Sequence, residues 1–261
     1  MWPGMTREFA GGGDPRRSID LLWGLSEPGR RGPKPRYSAE QVVDAAVALA
    51  DAEGLQAISV RRIAQELGVS PMSIYTYVRS KAELVGLMFD RVLGEDIDAP
   101  PDEQGWREAL SAMACERWSL TQRHPWMLDL ALHRPPLGPN LVARHEVALR
   151  ILDATGLDDL TKDLVIDVLH SFLVGGLLEA REAREVEELS GMTDEQWFAM
   201  AEPALTARLD ETRFPHVLRL GDAWRAADKA VVADPIWRFR FGLDVVLDGI
   251  EALIRARGGG T

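Results

Sequence analysis

Pro71, Met72, Ser73, Thr76 and Tyr77 share one side of a short segment whose other side is Ile74 and Val78. Hydroxyls of this kind can serve base edges or phosphates, and a thioether can meet a thymine methyl. Upstream, Arg30-Arg31-Gly32-Pro33-Lys34-Pro35-Arg36 sets four positive charges on a strip that glycine and proline keep from folding. That strip is either a solvated tail or an arm that touches phosphates or a minor groove. The patterns of covalent, metal and nucleotide chemistry are missing. His145-Glu146 starts no zinc-protease motif because position 149 is leucine, and no two of the five histidines sit at ligand spacing on one helix face. No nucleophile elbow, phosphate-binding loop or dinucleotide fingerprint occurs. Catalytic, metal and cofactor residues are therefore expected to be absent, and Cys115 reads as a small buried hydrophobe in a helix.

The elements that position these residues read as helices. Ser38-Ala39-Glu40-Gln41 is a capping box opening a helix to about Glu53, with Val42, Ala46, Leu49 and Ala50 on one face and Gly54 at its end. Ser59 caps a second, short helix carrying Ile63, Ala64 and Leu67, which Gly68 stops. Ser70-Pro71 starts a third helix that reaches about Val78, and Ser80-Lys81-Ala82-Glu83 reads as another capping box. Ala64 and Gly68 stand where a helix-turn-helix needs a small residue at the crossing and a glycine in the turn. A recognition helix lays its N-terminal residues on base edges in the major groove, whereas a plain helical hairpin would have the same pattern and no such role.

The chain has 261 residues and a mass of 28.9 kDa, which suggests one or two domains able to bury a core without staples. One cysteine excludes a disulfide framework. The net charge of −11 hides an asymmetry: residues 1–81 carry 11 Lys/Arg against 9 Asp/Glu, and residues 82–261 carry 19 against 32. A slightly basic head on an acidic body permits DNA binding by the head. No uncharged apolar stretch reaches the roughly 18 residues of a membrane span, and no run resembles a signal peptide, so a cytoplasmic address without membrane contact is expected.

The run Tyr37 to Leu93 resembles the DNA-binding domain of TetR/AcrR-family transcriptional regulators. Its ending, Ile74-Tyr75-Thr76-Tyr77-Val78-Arg79-Ser80-Lys81, is similar to that family's Leu-Tyr-x-His/Tyr-Val/Phe-x-x-Lys mark. The resemblance implies that Tyr75 buttresses the recognition helix and reaches a phosphate, and that Tyr77 contacts backbone phosphate. It also gives Lys81 a phosphate at the N-terminus of the fourth helix. Arg61 would reach a phosphate or clamp guanine O6 and N7. Pro71, Met72, Ser73 and Thr76 would be the reading positions. None of those four is glutamine, asparagine or arginine, so Arg61 or DNA shape would carry more of the readout. Lys34 and Arg36 complete the set as arm contacts.

Beyond Trp106 lie amphipathic segments at 103–122, 139–154, 161–189, 194–210 and 234–257. The last is apolar on more than one face, and Gly175-Gly176 in the third would let another helix approach closely. Such helices need covering on two sides, either by a twofold partner or, in a monomer, by burial of one central helix. This half resembles the C-terminal domain of the tetracycline-repressor subgroup, on Phe172-Leu173-Val174-Gly175-Gly176-Leu177-Leu178-Glu179 and on 239–251. That resemblance implies a homodimer through helices at about 161–189 and 234–257 and a small-molecule effector inside the domain. Trp106, Trp118, Trp126, Phe172 and Trp197 would be cavity walls, with Met113, Arg117, Leu130 and Arg134 near ligand-facing positions and Glu179 at the place of a metal-linked glutamate. The subgroup's two metal- and drug-binding histidines are replaced around Leu93 and Leu130, with His133 shifted, so neither tetracycline nor magnesium is expected.

The expectation is an all-α chain: a flexible, partly basic arm (1–36), a three-helix helix-turn-helix domain (37–84) and a larger helical effector-binding and dimerisation domain (85–261). Its expected work is that of a homodimeric repressor released from a palindromic double-stranded operator by a small molecule. The alternatives are a DNA-binding activator, a ligand-independent regulator, or a helical carrier or enzyme that does not act on DNA.

Overall fold

The computed structural model describes residues 8, 14–25, 36–95, 105–227 and 235–258, so Lys34 and most of the basic strip lie outside the described residues. Those residues form eleven α-helices and two short 3-10 turns, with no strand; one isolated parallel bridge joins Glu8 to Leu130. No helix among them is long and apolar enough to cross a membrane. The chain packs as two units, residues 1–166 and 167–261.

In the first unit, α2 (Ala39–Glu53) begins with the expected box: Ser38 Oγ accepts from the Gln41 amide, and the Gln41 side chain accepts from the Ser38 amide. Gly54, at a φ of 83°, ends it. Ser59 caps α3 (Val60–Glu66) through the Arg62 amide, and Gly68, at a φ of 62°, makes the turn into α4 (Pro71–Tyr75). Both angles lie in the left-handed region that only glycine enters without strain. Ala64 is fully buried at the crossing, and Val42, Ala46, Ile63, Ile74 and Val78 close the core with Leu84, Met88 and Val92 of α5 (Lys81–Leu93). The core continues into Leu120 and into Trp126, Met127 and Leu130, which follow α6 (Trp106–Arg123). The third helix is shorter than its pattern suggests. It stops at Tyr75 because Thr76 Oγ1 turns back to the Ser73 carbonyl at 2.7 Å and Tyr77 N bonds the Ile74 carbonyl at 2.9 Å.

Two expectations for the N-terminal side change. The arm is expected to be flexible, yet Pro15–Leu22 forms a helix, α1, with Asp14 as its cap and proline in its first turn. Eight residues are too few for a free helix in water. Packing supplies the rest: α1 lies against α5, Arg17 Nε reaches Glu83 Oε1 at 2.9 Å, and Trp23 Nε1 donates to the Leu137 carbonyl at 2.9 Å. The second capping box is only half formed. Ser80 Oγ accepts from the Glu83 amide, but the Glu83 carboxylate is drawn to Arg17 and to the Arg79 amide. Burial pushes the Glu83 carboxyl up, and these donors outweigh it, so the group ionises below the usual carboxylate range.

The first unit is completed by α7 (Pro139–Asp153) and the start of α8 (Asp159–Ser190). In the second unit, the rest of α8 is joined by α9 (Asp194–Thr206), α10 (Pro215–Ala226) and α11 (Pro235–Gly258). Leu169, Leu173 and Leu177 of α8 are buried, as are Phe239, Leu243, Leu247 and Ile250 of α11. Phe172 stacks on Phe239 with centroids 5.7 Å apart, and a Cβ on Gly242 would lie 2.7 Å from the Phe172 ring. The close approach within this unit is thus made at Gly242, whereas a Cβ at Gly175 would meet nothing. α10 has no counterpart among the expected segments; Val217, Leu220 and Trp224 give it an apolar side, but no residue of it is buried.

Candidate nucleic-acid interface

Along α4 and its C-cap Thr76, Ile74 is sealed in the core while Pro71, Met72, Ser73, Tyr75 and Thr76 are exposed, Met72 to 72%. Helical spacing explains the division, because Ile74, Tyr77 and Val78 recur at three and four residues and share the inner face. The buttressing role that the resemblance gives Tyr75 falls to Tyr77. Tyr75 faces solvent, and Tyr77 is the buttress: it packs on the core and its Oη donates to the Tyr37 carbonyl. Tyr37 in turn donates through its own Oη to the Leu67 carbonyl at 3.0 Å, which ties the start of α2 to the turn beside α4. Tyr37 was not among the expected site residues; its position just before a capping box was the available clue.

The cations differ in their freedom. Arg61 is exposed at the start of α3, beside Arg62, which is held by Glu53 and Glu66 at 2.8 Å each. Arg36 is exposed and lies over the Tyr37 ring, 5.6 Å from its centroid. Lys81 stands at the first position of α5 as expected, but its Nζ is paired with Glu8 Oε1 at 2.7 Å. Glu8 is held there by its backbone, bonded to the Asp129 carbonyl at 3.0 Å and the Ala131 amide at 2.9 Å.

From Lys81, α5 runs continuously to a clamp at its far end. Asp90, buried in an otherwise apolar stretch, accepts from the amides of Leu141 and Asn140 at the N-terminus of α7. Burial raises its carboxyl above the usual range, and those amides pull it part of the way back. A Cβ on Gly138 would lie 2.2 Å from this carboxylate, so the approach depends on glycine. Arg144 of α7 donates to the carbonyls of Leu93 and Glu95 at the C-terminal end of α5 and to both oxygens of Glu116, at 2.6 and 3.0 Å. Buried His124 bridges Asp51 at the end of α2 (2.8 Å) and Glu95 after α5 (3.2 Å), and Trp126 Nε1 donates to the same Asp51 oxygen at 2.8 Å. None of these joints was anticipated from the sequence; a lone aspartate in Leu87-Met88-Phe89-Asp90 was the one local sign.

The expected effector residues divide between the two units. In the first, Met113 and Arg117 stand one turn apart on α6, and the Arg117 guanidinium lies over the Phe89 ring at 5.8 Å. Burial first, and then the neighbouring Arg144, pull the Arg117 pKa down to about 10, with Glu116 opposing them. Trp118 and Leu130 are buried and Arg134 is exposed. Trp126, expected as a cavity wall, is instead part of the helix-turn-helix core, fixed by its bond to Asp51. In the second unit, Phe172 is used in the stack on Phe239, and Glu179 is exposed with Arg238 3.8 Å away. Trp197, another expected wall, is 52% exposed on α9, edge-on to Phe198.

Comparison with known proteins agrees with this architecture. Residues 42–88 match the bacterial regulatory proteins of the tetR family, and residues 99–254 match the tetracyclin repressor-like C-terminal domain. The HTH-type transcriptional repressor DrrR1 of Streptomyces coeruleorubidus is 38% identical over 97% of this chain and 92% of its own length. The crystal structure of apo ActR from Streptomyces coelicolor superposes with a TM-score of 0.68 at 28% identity, over 87% of this chain and all of that one. ActR in complex with actinorhodin gives 0.66 at 30% identity, over 83% and 96% of the two chains. A sealed helix-turn-helix with an open face on its second helix, followed by a match across most of the remaining chain, leads to one assignment: the chain belongs to the tetR family of bacterial transcriptional regulators.

Proposed function

We propose that the protein is a homodimeric repressor that holds a palindromic operator and is released by a small organic effector. The observation that carries the reading is the face of α4, where Met72, Ser73, Tyr75 and Thr76 are open above a fully buried Ile74. These side chains, with Pro71 fixing the helix start and Arg61 alongside, would meet base edges in the major groove. Tyr37 and Tyr77 hold α4 in place, and Lys81, Arg36 and Lys34 would serve phosphates. The name of DrrR1 as a repressor supports the sign of regulation, and the complex of ActR with actinorhodin supports a small-molecule effector.

Dimerisation would use α8 and α11. On α11, Phe239, Leu243 and Leu247 are covered while Trp237, Phe241 and Val245 are open. On α8, Val165, Leu169 and Leu173 are covered while Leu160, Leu164 and Val168 are open, and the space at Gly175 would admit a partner helix. Twofold symmetry would set the two α4 helices in successive major grooves, about 34–36 Å apart. Effector binding would shift α5 through its clamp and change that spacing, opposing DNA by a coupling of typically about 1–3 kcal/mol.

The test is selection of binding sites from random duplexes at two salt concentrations. A palindrome whose affinity falls steeply with salt is the expected result. Absence of enrichment from protein shown by denaturing mass spectrometry to carry no small molecule would sink the reading.

A further inference from the structure

At the α5–α6–α7 junction Glu116 and Arg144 satisfy each other. Glu116 gives both oxygens to Arg144, and Arg144 directs its other donors to the carbonyls of Leu93 and Glu95. That leaves Arg117. Its Nη1 is shut away from solvent and has no hydrogen-bond partner among the described residues, and the guanidinium lies over the face of Phe89. Two guanidinium groups therefore share one carboxylate, and that carboxylate is already committed. A cation–aromatic contact offsets only a fraction of what a buried guanidinium donor without a hydrogen-bond partner costs. An apolar side chain of similar length would fill the same space without that cost, so the charge calls for a use outside the resting protein.

We infer that Arg117 is the anion-recognising residue of the effector site, and that the effector is an organic acid whose ionised oxygen pairs with the Arg117 guanidinium. The inference rests on the effector reading above and narrows it to a chemical class. A ligand without an acceptor would leave the Nη1 donor unpaired, and a metal cation would be repelled by the guanidinium. A carboxylate, or the acidic hydroxyl of a conjugated ring system, matches the planar donor edge of arginine with one or two parallel hydrogen bonds. The same residue gives the anion a route to the DNA-binding helices. Pairing would draw the guanidinium from its position over Phe89, and the next residue along α5 is Asp90, the carboxylate that holds the N-terminus of α7.

The experiment compares two fluorescent probes that differ in charge. 8-Anilinonaphthalene-1-sulfonate carries an anion, and N-phenyl-1-naphthylamine has the same rings without it. Full-length protein is titrated with each as wild type, Arg117→Met and Arg117→Lys. Wild type should bind the anionic probe at least tenfold more tightly. Arg117→Met should lose that preference while keeping neutral-probe affinity within about twofold, and should melt at a higher temperature because a buried donor without a partner is gone. Arg117→Lys, which keeps the charge, should retain part of the preference. The anionic probe should also weaken operator binding by wild type but not by Arg117→Met. If Arg117→Met keeps the preference, or only melts lower with both affinities unchanged, Arg117 belongs to the fold alone. Uptake of the neutral probe by wild type with no anion preference overturns the inference and leaves the effector domain standing. Failure of wild type to take up either probe overturns both.

Discussion

The helix-turn-helix and the C-terminal unit are both bundles of amphipathic helices, but they end in opposite conditions. Between α2 and α5 each apolar face meets another face of the same chain, and Ile63, Ile74, Leu84 and Met88 are sealed. In the C-terminal unit, α11 seals one face and leaves Phe241 63% exposed on the other, while α9 exposes Phe198 to 56%. Apolar surface left open in this way marks an interaction site. The first region is finished by its own sequence, and the second leaves apolar faces that the proposed dimer would cover.

Changes on the open face should therefore injure assembly, and changes in the sealed core should injure folding. Phe241→Asp should have the largest consequence: sedimentation should report a monomer, and operator affinity should fall by roughly 10²–10⁴-fold, because the paired heads lose their mutual effective concentration. A variant that remains dimeric would end the assignment of α11 to the interface. Ile63→Ala, at a fully buried site, should cost about 2–5 kcal/mol in urea unfolding while leaving association intact at low denaturant. Tyr37→Phe removes one hydrogen bond to the Leu67 carbonyl and leaves the ring in place, so about 1 kcal/mol of stability and a few-fold loss of operator affinity are expected. Unchanged operator affinity in Tyr37→Phe would show that the bond does not position α4.

The smallest effect concerns α1. Because the Glu83 carboxyl ionises below its ordinary range, its contribution is complete above that range and is lost as the pH falls through it toward the lower folded value. Arg17→Gln should reduce this acid sensitivity by about 0.5 kcal/mol, read as a smaller difference in melting between neutral and acidic buffer. An identical pH profile in the variant would mean that Arg17 does not anchor the helix.

What was readable in the sequence follows the same division. Ser38, Ser59 and Gly68 act on residues within a few positions, and the structure has them as expected. The Ser80 box was half readable, because the partner that diverts Glu83 lies 66 residues away. Tyr75 and Tyr77 could not be told apart by type; only the direction of the core decides which one packs. The joints Asp90–Leu141 and His124–Asp51 connect residues 51 and 73 positions apart, beyond any local pattern. Trp126 and Trp197 show the limit of reading by composition, since an aromatic suited to a cavity wall serves equally in a core or on an outer face.

The single thiol of the chain, Cys115, stands on α6 half-buried and two residues before Arg117. A reagent that alkylates cysteine can therefore mark only one position in each chain. A trifluoromethyl tag placed there would give one fluorine resonance from the neighbourhood of the Arg117 guanidinium, with no engineering of the sequence. Effectors could then be screened by the line they shift, in the native protein, before any operator is known.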